Sequence, residues 1–377
     1  MASEFVARQV VTNLFVEAEP ETNEFVTTRE HSSPEGSSTE GRLVSQTVST
    51  AADRFTLRRL SDGRDATSFA EDVRGGLTAA QKSLSPKYFY DDLGSQLFEA
   101  ICHLPEYYLT RAEREILRNN ASEIVASVSG PVRLVELGSG SAEKTRYLIE
   151  ALLNRQGSLH YLPVDISSAS LERSSLELLQ IYPRLSITAY AADYFTALQS
   201  LVAAAKGERT VALFLGSNIG NFDPGGSREL LNEVRRVLRP GDALLVGADL
   251  KKAPEVLIQA YDDALGVTAA FNLNLLVRMN RELEADFDVK KFDHRARYNK
   301  DRGCMEIHVV SREAQTVNIR ALDLKVGFEE GETIHTENSY KFDVEQLAEM
   351  ARATGFALDK TWLDVAGRFS FKLFAAR

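Results

Sequence analysis

Residues 132–140, with the sequence VRLVELGSG, join an apolar strand to a glycine turn that leads into a helix. Gly138 and Gly140 allow the backbone to turn sharply and to come close to a ligand. A dinucleotide-binding fingerprint needs a third glycine at position 143, where this chain has Glu143. A glutamate at that helix N-terminus repels a pyrophosphate but tolerates a sulfonium cofactor that has no phosphate. The segment therefore predicts S-adenosylmethionine rather than NAD as the cofactor.

Two aspartates come at the ends of the next two predicted strands. Asp165 ends the strand 159–165, and Asp193 follows the strand 186–191. The two oxygens of a carboxylate suit the two hydroxyls of an adenosine ribose, and a second carboxylate can accept from the adenine amino group. Either aspartate could instead cap the helix that follows it. Together with Gly138, they place ligand-binding groups at three successive strand ends, which favours the cofactor site.

The pattern between about residues 130 and 250 alternates short apolar runs with amphipathic segments. Such runs are typical of parallel strands that helices cover on both faces. The repeated strand–helix units predict a doubly wound α/β sheet with a ligand crevice at the carboxyl ends of its strands. The chain is expected to leave this sheet after residue 250 and to return near residue 342. The predicted strands are 132–137, 159–165, 186–191, 211–216 and 243–249, and the predicted helices include 143–153, 169–181, 196–205 and 227–238.

The composition favours a protein that acts on small molecules. Of 377 residues, 54 are acidic and 44 are basic, and the net charge of −10 argues against a nucleic-acid-binding face. Cys102 and Cys304 are interpreted as reduced thiols, and no Cys/His cluster has the spacing of zinc ligands. No apolar run approaches the length of a membrane span. We expect a cytoplasmic protein with no metal and no nucleic-acid or membrane partner, and we take it to be a monomer.

The first 60 residues differ from the rest and are predicted to form a disordered tail. Residues 27–41 (TTREHSSPEGSSTEG) are polar and have no apolar periodicity. Order is expected to begin near Phe69, because Phe69, Val73 and Leu77 share one helical face. A chain that begins near residue 62 is accordingly expected to keep its thermal midpoint and its activity.

Several longer motifs carry more specific information, and together they span roughly residues 65–377. They are KYFYD at 87–91, LPEYY at 104–108, ELGSG at 136–140 with EKT at 143–145, FLGSNIGN at 214–221, AYDD at 260–263 with GVTAAFN at 266–272, and TENS at 336–339. In these motifs the chain resembles the histidine Nα-methyltransferases of ergothioneine biosynthesis, which are class I S-adenosylmethionine-dependent methyltransferases.

The resemblance implies a fold, an activity and a domain plan. The implied enzyme transfers three methyl groups from S-adenosylmethionine to the α-amino group of L-histidine and so forms hercynine. The implied architecture is a Rossmann-like methyltransferase sheet with a second, smaller α+β substrate-binding domain. On this chain the cofactor domain is expected to span 112–249 plus 342–377, and the substrate domain 61–111 plus 250–341.

The resemblance also assigns the binding site residue by residue. The family's cofactor contacts fall on Gly138, Lys144, Asp165, Asp193 and Tyr194, the last at a position that is phenylalanine in relatives. The family's substrate contacts fall on Tyr107, Asn221, Tyr261, Glu337 and Ser339, with Tyr90 near the reacting amine. We interpret Tyr90 and Asn221 as the catalytic residues.

The residue types suit these implied roles. Asn221 and Tyr261 offer neutral donors to a carboxylate. Glu337 and Ser339 are two residues apart, so on an extended segment both side chains face the same way and can bind one polar ring. Tyr90 can hold an increasingly methylated ammonium by its ring face or its hydroxyl. Without the resemblance, each of these residues would be interpreted as a packing, turn or surface residue.

One departure from the family pattern bears on the substrate. The family's imidazole pocket has a methionine where this chain has Ile307, although Met305 lies two residues earlier on the same strand face. An N-methyltransferase for another aromatic amino acid or for an alkaloid amine, such as a tryptophan derivative, is therefore the main alternative. A cofactor-binding regulatory protein with an inactive site is the non-enzymatic alternative.

Overall fold

A nine-stranded sheet organises the chain in the computed structural model, which describes residues 44–49, 54–61, 65–201 and 207–377. Fourteen strands lie in the described residues, and nine of them form this sheet. The strands are β1 Val44–Ser49, β2 Phe55–Ser61, β3 Val132–Leu137, β4 Leu159–Asp165, β5 Leu185–Ala191, β6 Arg209–Phe214, β7 Ala243–Asp249, β8 Phe292–Asn299, β9 Cys304–Ser311, β10 Gln315–Ile319, β11 Leu324–Phe328, β12 Thr333–Tyr340, β13 Phe356–Leu363 and β14 Phe369–Ala376.

The order of strands in the large sheet is β1-β2-β5-β4-β3-β6-β7-β14-β13. Neighbours from β2 to β7 run parallel, whereas β1, β14 and β13 join antiparallel. This arrangement confirms the predicted doubly wound α/β sheet. The α-helices of the described residues are α1 Asp65–Thr78, α2 Asp92–His103, α3 Tyr108–Ala126, α4 Arg146–Gln156, α5 Ser168–Ile181, α6 Tyr194–Ser200, α7 Pro224–Val237, α8 Pro254–Tyr261, α9 Val267–Leu283 and α10 Gln346–Ala353.

Helices cover both faces of the large sheet, which explains the continuous apolar runs of its central strands. Every residue of β3 and of β7 is buried. On one face, α3, α4 and α5 contribute Leu117, Leu148 and other apolar side chains to a core. On the other face, α6, α7 and α10 contribute Leu230 and Leu347. Within the described stretches, no helix is both long enough and apolar enough to cross a membrane.

A smaller lobe has its own sheets and its own core. β12, β9 and β8 form an antiparallel sheet and β10 pairs with β11, while α1, α2, α8 and α9 pack against them around Leu276 and Ile334. The chain leaves the large sheet and returns to it at neighbouring positions, because Leu250 forms a bridge with Phe342. The excursion thus follows the course predicted between residues 250 and 342, while the exact domain boundaries stay a prediction.

The predicted disordered tail is wrong for residues 55–60. These residues belong to β2, which pairs in parallel with β5, and Phe55 and Leu57 are only 2% and 1% exposed. β1 then pairs antiparallel with β2. The apolar residues Phe55 and Leu57 alternate with polar residues, which is a strand pattern. The polar composition of the preceding segment obscured this pattern. The prediction is also wrong for residues 44–49, which form β1. Residues 1–43 and 50–53 of the predicted tail lie outside the described residues.

The structure therefore reverses the expected result of truncation. A chain that begins at residue 62 should unfold at a lower temperature than one that begins at residue 51, because it lacks the buried side chains of Phe55, Leu57 and Leu60. Burial of one such side chain stabilises a fold by about 1.5–3 kcal/mol, so a loss of at least about 3 kcal/mol is expected. Differential scanning calorimetry of the two chains measures it. Equal unfolding temperatures would show that β2 does not stabilise the sheet.

Candidate active site

A cavity lies between the loop that follows β6 and the helices and strands of the smaller lobe. Its wall contains backbone and side chains from α2, α8, α9 and β12 as well as from that loop. The fold thus brings together residues that are far apart in the sequence. Six of the predicted substrate and catalytic residues line this cavity: Tyr90, Tyr107, Asn221, Tyr261, Glu337 and Ser339.

Ile307 is the predicted substrate residue that does not line the cavity. It is the cross-strand partner of Glu337 in the β9–β12 pair, and it is 2% exposed in the core of the smaller lobe. Met305 has the same relation to Ser339 and is also buried. Ile307 therefore supports the strand that carries Glu337, and its contact with a substrate stays a prediction.

The loop after β6 places Asn221 in the cavity wall. Ser217 adopts a left-handed conformation with φ of 58°, and residues Asn218–Asn221 form one turn of 3-10 helix. A Cβ atom on Gly220 would lie 2.6 Å from the carbonyl oxygen of Tyr340. Because only glycine permits this approach, the loop packs directly on β12. The motif FLGSNIGN is thus explained by the close contact that brings Asn221 beside β12.

Glu337 presents an acceptor to the cavity. It lies on β12 just after a register shift between His335 and Glu337, and the adjacent Thr336 hydroxyl donates to the Asn272 side chain at 2.8 Å. Burial raises the pKa of Glu337 to about 7, against the opposing charge of Lys341. Within the described part of the chain, no group donates a hydrogen bond to its carboxylate. A partly buried carboxylate that faces a cavity without a donor is a site for a ligand donor.

An aromatic wall surrounds Tyr90. Its ring meets Phe98 and Phe271 edge-on, with centroids 5.6 Å and 5.7 Å away, and all three residues line the cavity. Burial raises the pKa of Tyr90 well above its ordinary value, and the charges of Glu337 and Asp165 add to the rise. Tyr90 therefore keeps its proton and lies between the substrate cavity and the Asp165 strand end. The sequence argument did not identify Phe98 or Phe271, because apolar aromatic residues on helices are usually core residues.

The glycine turn after β3 forms a crevice beside this cavity. Gly138 has φ of +74°, and a Cβ atom there would lie 2.7 Å from the side-chain amide of Asn218 and 2.7 Å from the hydroxyl of Tyr194. Asp165 accepts from the backbone N–H of Gly140 at 2.9 Å. Burial raises the pKa of Asp165, whereas its backbone hydrogen bonds lower it. Three of the predicted cofactor residues, Gly138, Asp165 and Tyr194, thus lie close together.

Asp193 caps the helix that follows it. Its carboxylate accepts from the backbone N–H groups of Phe195 at 2.9 Å and Thr196 at 3.1 Å, at the start of α6. The structure therefore shows the capping role that the sequence left open. The side chain is exposed, so its contact with an adenine stays a prediction.

Lys144 is held by a buried glutamate that the sequence argument did not identify. Its ammonium pairs with Glu113, which is fully buried and also accepts from the backbone N–H of Gly216 at 2.6 Å. Burial lowers the pKa of Lys144, but the charge and the hydrogen bond of Glu113, together with other nearby groups, raise it above its ordinary value. Glu113 thereby connects α3 with the cofactor crevice and the loop after β6. The sequence feature that could have identified Glu113 is its position beside Ala112 on the apolar face of α3.

Glu136 has a structural role within the glycine motif. Its carboxylate accepts from the Thr145 hydroxyl at 2.7 Å and 2.8 Å and from the Tyr161 hydroxyl. Burial raises its pKa to about 7, while those two donors lower it. Since these bonds connect β3 with β4 and with the residue before α4, Glu136 fixes the shape of the glycine turn.

The sequence comparisons agree with this geometry. The sequence model of the histidine-specific, SAM-dependent methyltransferases matches residues 69–376. The chain belongs to this family. A histidine N-alpha-methyltransferase of Mycolicibacterium smegmatis is 45% identical over 309 residues, which cover 82% of this chain and 95% of that protein. The histidine N-alpha-methyltransferase of Mycobacterium tuberculosis is 44% identical over 315 residues, which cover 83% and 97%. Ergothioneine biosynthesis protein 1 of Neurospora crassa is 30% identical over 311 residues, which cover 78% of this chain and 34% of that protein.

S-adenosylmethionine is the cofactor of this methyltransferase family, as predicted, and the crevice has groups that fit it. The Asp165 carboxylate is partly buried at a strand end, where it can accept from hydroxyl groups. The backbone of Gly138 lies directly against the Tyr194 hydroxyl and the Asn218 amide, an approach that a side chain at position 138 would prevent. The charge of Lys144 is balanced by Glu113, which suits a cofactor without phosphate groups.

Proposed function

We propose that this methyltransferase transfers three methyl groups to the α-amino nitrogen of L-histidine, forming hercynine for ergothioneine biosynthesis. The observation that carries the proposal is the Glu337 carboxylate, which faces the cavity, has no donor among the described residues and lies near Ser339 on β12. An imidazole N–H supplies the missing donor. The names of the relatives that are 45% and 44% identical support the same substrate.

Asn221 and Tyr261 bind the part of the substrate that all amino acids share. Both line the cavity, and both carry donors that suit a carboxylate. Glu337 and Ser339, on the same wall, bind the imidazole ring. The Tyr261 and Ser339 hydroxyls lie 2.8 Å apart, so the two pairs bind neighbouring parts of the substrate on one wall. Contacts to both parts fix the direction in which its α-amino group points.

Tyr90 contacts the α-amino group in this arrangement. When bound, S-adenosylmethionine supplies a methyl group that its sulfonium centre activates. The task left to the protein is mainly to deliver an uncharged amine at the correct distance and angle to that methyl group. Tyr90 keeps its proton because burial raises its pKa. Its ring face and hydroxyl hold the nitrogen as methylation removes the N–H donors.

The pH dependence of the reaction should reveal the titration of the Glu337 carboxylate. Its pKa of about 7 means that the carboxylate becomes an acceptor for the imidazole N–H as the pH rises through this value. The kcat/KM for L-histidine should therefore fall as the pH drops below about 7. Glu337→Gln does not titrate, and the substrate's own groups titrate alike with both enzymes. The ratio of the wild-type to the Glu337→Gln profile should thus rise with pH, and a constant ratio would contradict the assignment.

A substrate panel separates the proposal from its enzymatic alternative. Position 307 carries isoleucine where the resemblance implies a methionine in the imidazole pocket. Tryptophan and other aromatic amines are therefore the alternative substrates to test. Initial rates with L-histidine, L-tryptophan and L-tyrosine at equal concentration should be highest for L-histidine. A higher rate with L-tryptophan would favour the alternative function.

We also propose that the enzyme acts as a cytoplasmic monomer. Cys102 and Cys304 are free thiols, which suits a reducing compartment. Light scattering after size-exclusion chromatography should give a mass near 41.8 kDa, and twice that mass would indicate a dimer.

A further inference from the structure

A buried ammonium group lies directly behind the cavity wall. Lys341 is fully buried, and its Nζ atom donates to the Tyr261 hydroxyl at 2.8 Å and to the Ser339 hydroxyl at 2.9 Å. Its third donor points to the Asp249 carboxylate at 3.1 Å. An ammonium has three N–H donors, so all of them are used. Two of the three contacts are cavity residues, which makes Lys341 part of the wall that binds the substrate.

The cluster around Lys341 carries a net positive charge. Asp249 is fully buried and pairs with a second cation, since Lys252 Nζ lies 2.6 Å from its carboxylate. The Tyr108 hydroxyl also donates to Asp249, at 2.7 Å, and burial raises the pKa of this tyrosine, so it stays neutral. Two ammonium groups therefore face one carboxylate. On the cavity side, the charge of Lys341 acts on the carboxylate of Glu337.

The field of Lys341 reaches into the cavity. It lowers the pKa of Glu337 against the effect of burial, although the two side chains form no hydrogen bond. It also polarises the Tyr261 and Ser339 hydroxyls, which lie 2.8 Å apart and share one hydrogen bond. Since both oxygens accept from Lys341, one of the two hydroxyl protons is left to point at a ligand. The wall is thus arranged to donate to an anion.

We infer that Lys341 is a positioning residue that supplies, through Tyr261, the countercharge for the α-carboxylate of the substrate. The inference rests on the proposed contact between Tyr261 and that carboxylate. A carboxylate oxygen that accepts from the Tyr261 hydroxyl lies about 5 Å from Lys341 Nζ, given ordinary hydrogen-bond lengths. At that separation, in a buried site, the attraction between opposite charges is substantial. Lys341 therefore selects amines that keep a carboxylate over amines that lack one.

The test compares L-histidine with L-histidinamide, whose carboxylate is replaced by a neutral amide. Calorimetric titration in the presence of S-adenosylhomocysteine gives the affinity of each ligand, and their ratio measures the preference for the carboxylate. Lys341→Met should lower this ratio by at least about tenfold, with a much smaller effect on L-histidinamide. A purely structural role would weaken both ligands alike and leave the ratio unchanged, which would overturn the inference.

Lys252→Met is the matched control. It removes the same charge from the same cluster, but Lys252 does not contact Tyr261 or Ser339 among the described residues. The ratio of the affinities for L-histidine and L-histidinamide should therefore change little in this variant. An equal loss in both lysine variants would show that overall charge, not the contact with Tyr261, makes the selection, and would contradict the inference.

Asp249→Asn decides the question if Lys341→Met does not fold. This variant keeps the donors of Lys341 on Tyr261 and Ser339 while it removes the opposing charge. The preference for L-histidine should then be kept or increase, and a tenfold decrease would refute the inference. Failure of the wild-type enzyme to bind L-histidine would overturn the proposed function together with it. A wild-type preference that survives in Lys341→Met would refute the inference alone.

Discussion

Glu337→Ala should lower kcat/KM for L-histidine by at least about tenfold, which corresponds to about 1.4 kcal/mol of transition-state stabilisation. The variant removes the acceptor that faces the cavity and leaves the imidazole N–H without a partner in a buried site. Asn221 and Tyr261, the proposed contacts of the part that all amino acids share, stay in place. The kcat/KM for an apolar aromatic amino acid should fall much less, because its side chain makes no hydrogen bond to the Glu337 carboxylate. Steady-state kinetics with L-histidine and L-tryptophan measure both effects.

Asn221→Ala is the matched control for this experiment. Asn221 lines the same cavity but faces the part that all amino acids share, so its loss should damage every amino-acid substrate by a similar factor. The two variants should therefore differ in selectivity as well as in rate. If Glu337→Ala lowered the turnover of L-histidine and L-tryptophan equally, the carboxylate would not recognise the side chain.

Asp165→Ala should weaken the binding of S-adenosylhomocysteine by about 1.5–3 kcal/mol, the range for a hydrogen bond to a charged group. The carboxylate lies at the end of β4, where it is the proposed acceptor for the ribose hydroxyls, and it also holds the N–H of Gly140. Asp165→Asn keeps one acceptor oxygen and should show a smaller loss. Calorimetric titration measures the affinity, and melting curves establish that the variants are folded. Unchanged affinity in a folded Asp165→Ala would remove this residue from the cofactor site.

The central part of the fold could be predicted because its signals are local. β3, β4 and β7 are continuous apolar runs, and their predicted bounds agree with the structure. β2 was missed because its partner is β5, about 130 residues later in the chain, and because polar residues precede it. A short strand that follows a polar segment and pairs with a strand far along the chain is recognised only when that partner is known.

Part of the site could also be predicted, but from residue chemistry and motifs and not from apolar runs. Residue chemistry at three strand ends indicated the cofactor, and Gly138 and Asp165 do lie together. The substrate residues were identified by their motifs, since a tyrosine or a glutamate alone has many roles. The roles of Glu113, Asp249 and Lys341 could not be found this way. A charged residue is normally interpreted as exposed, and only tertiary packing shows that these three are buried and paired.

The most direct test of the proposed function is the structure of the product. Purified enzyme is incubated with L-histidine and excess S-adenosylmethionine, and the product is analysed by mass spectrometry with fragmentation. The proposal predicts a histidine that carries three added methyl groups, all on the α-nitrogen, after passage through the singly and doubly methylated forms. Methyl groups on the imidazole ring, or no methylation of L-histidine under conditions in which another aromatic amine is methylated, would contradict it.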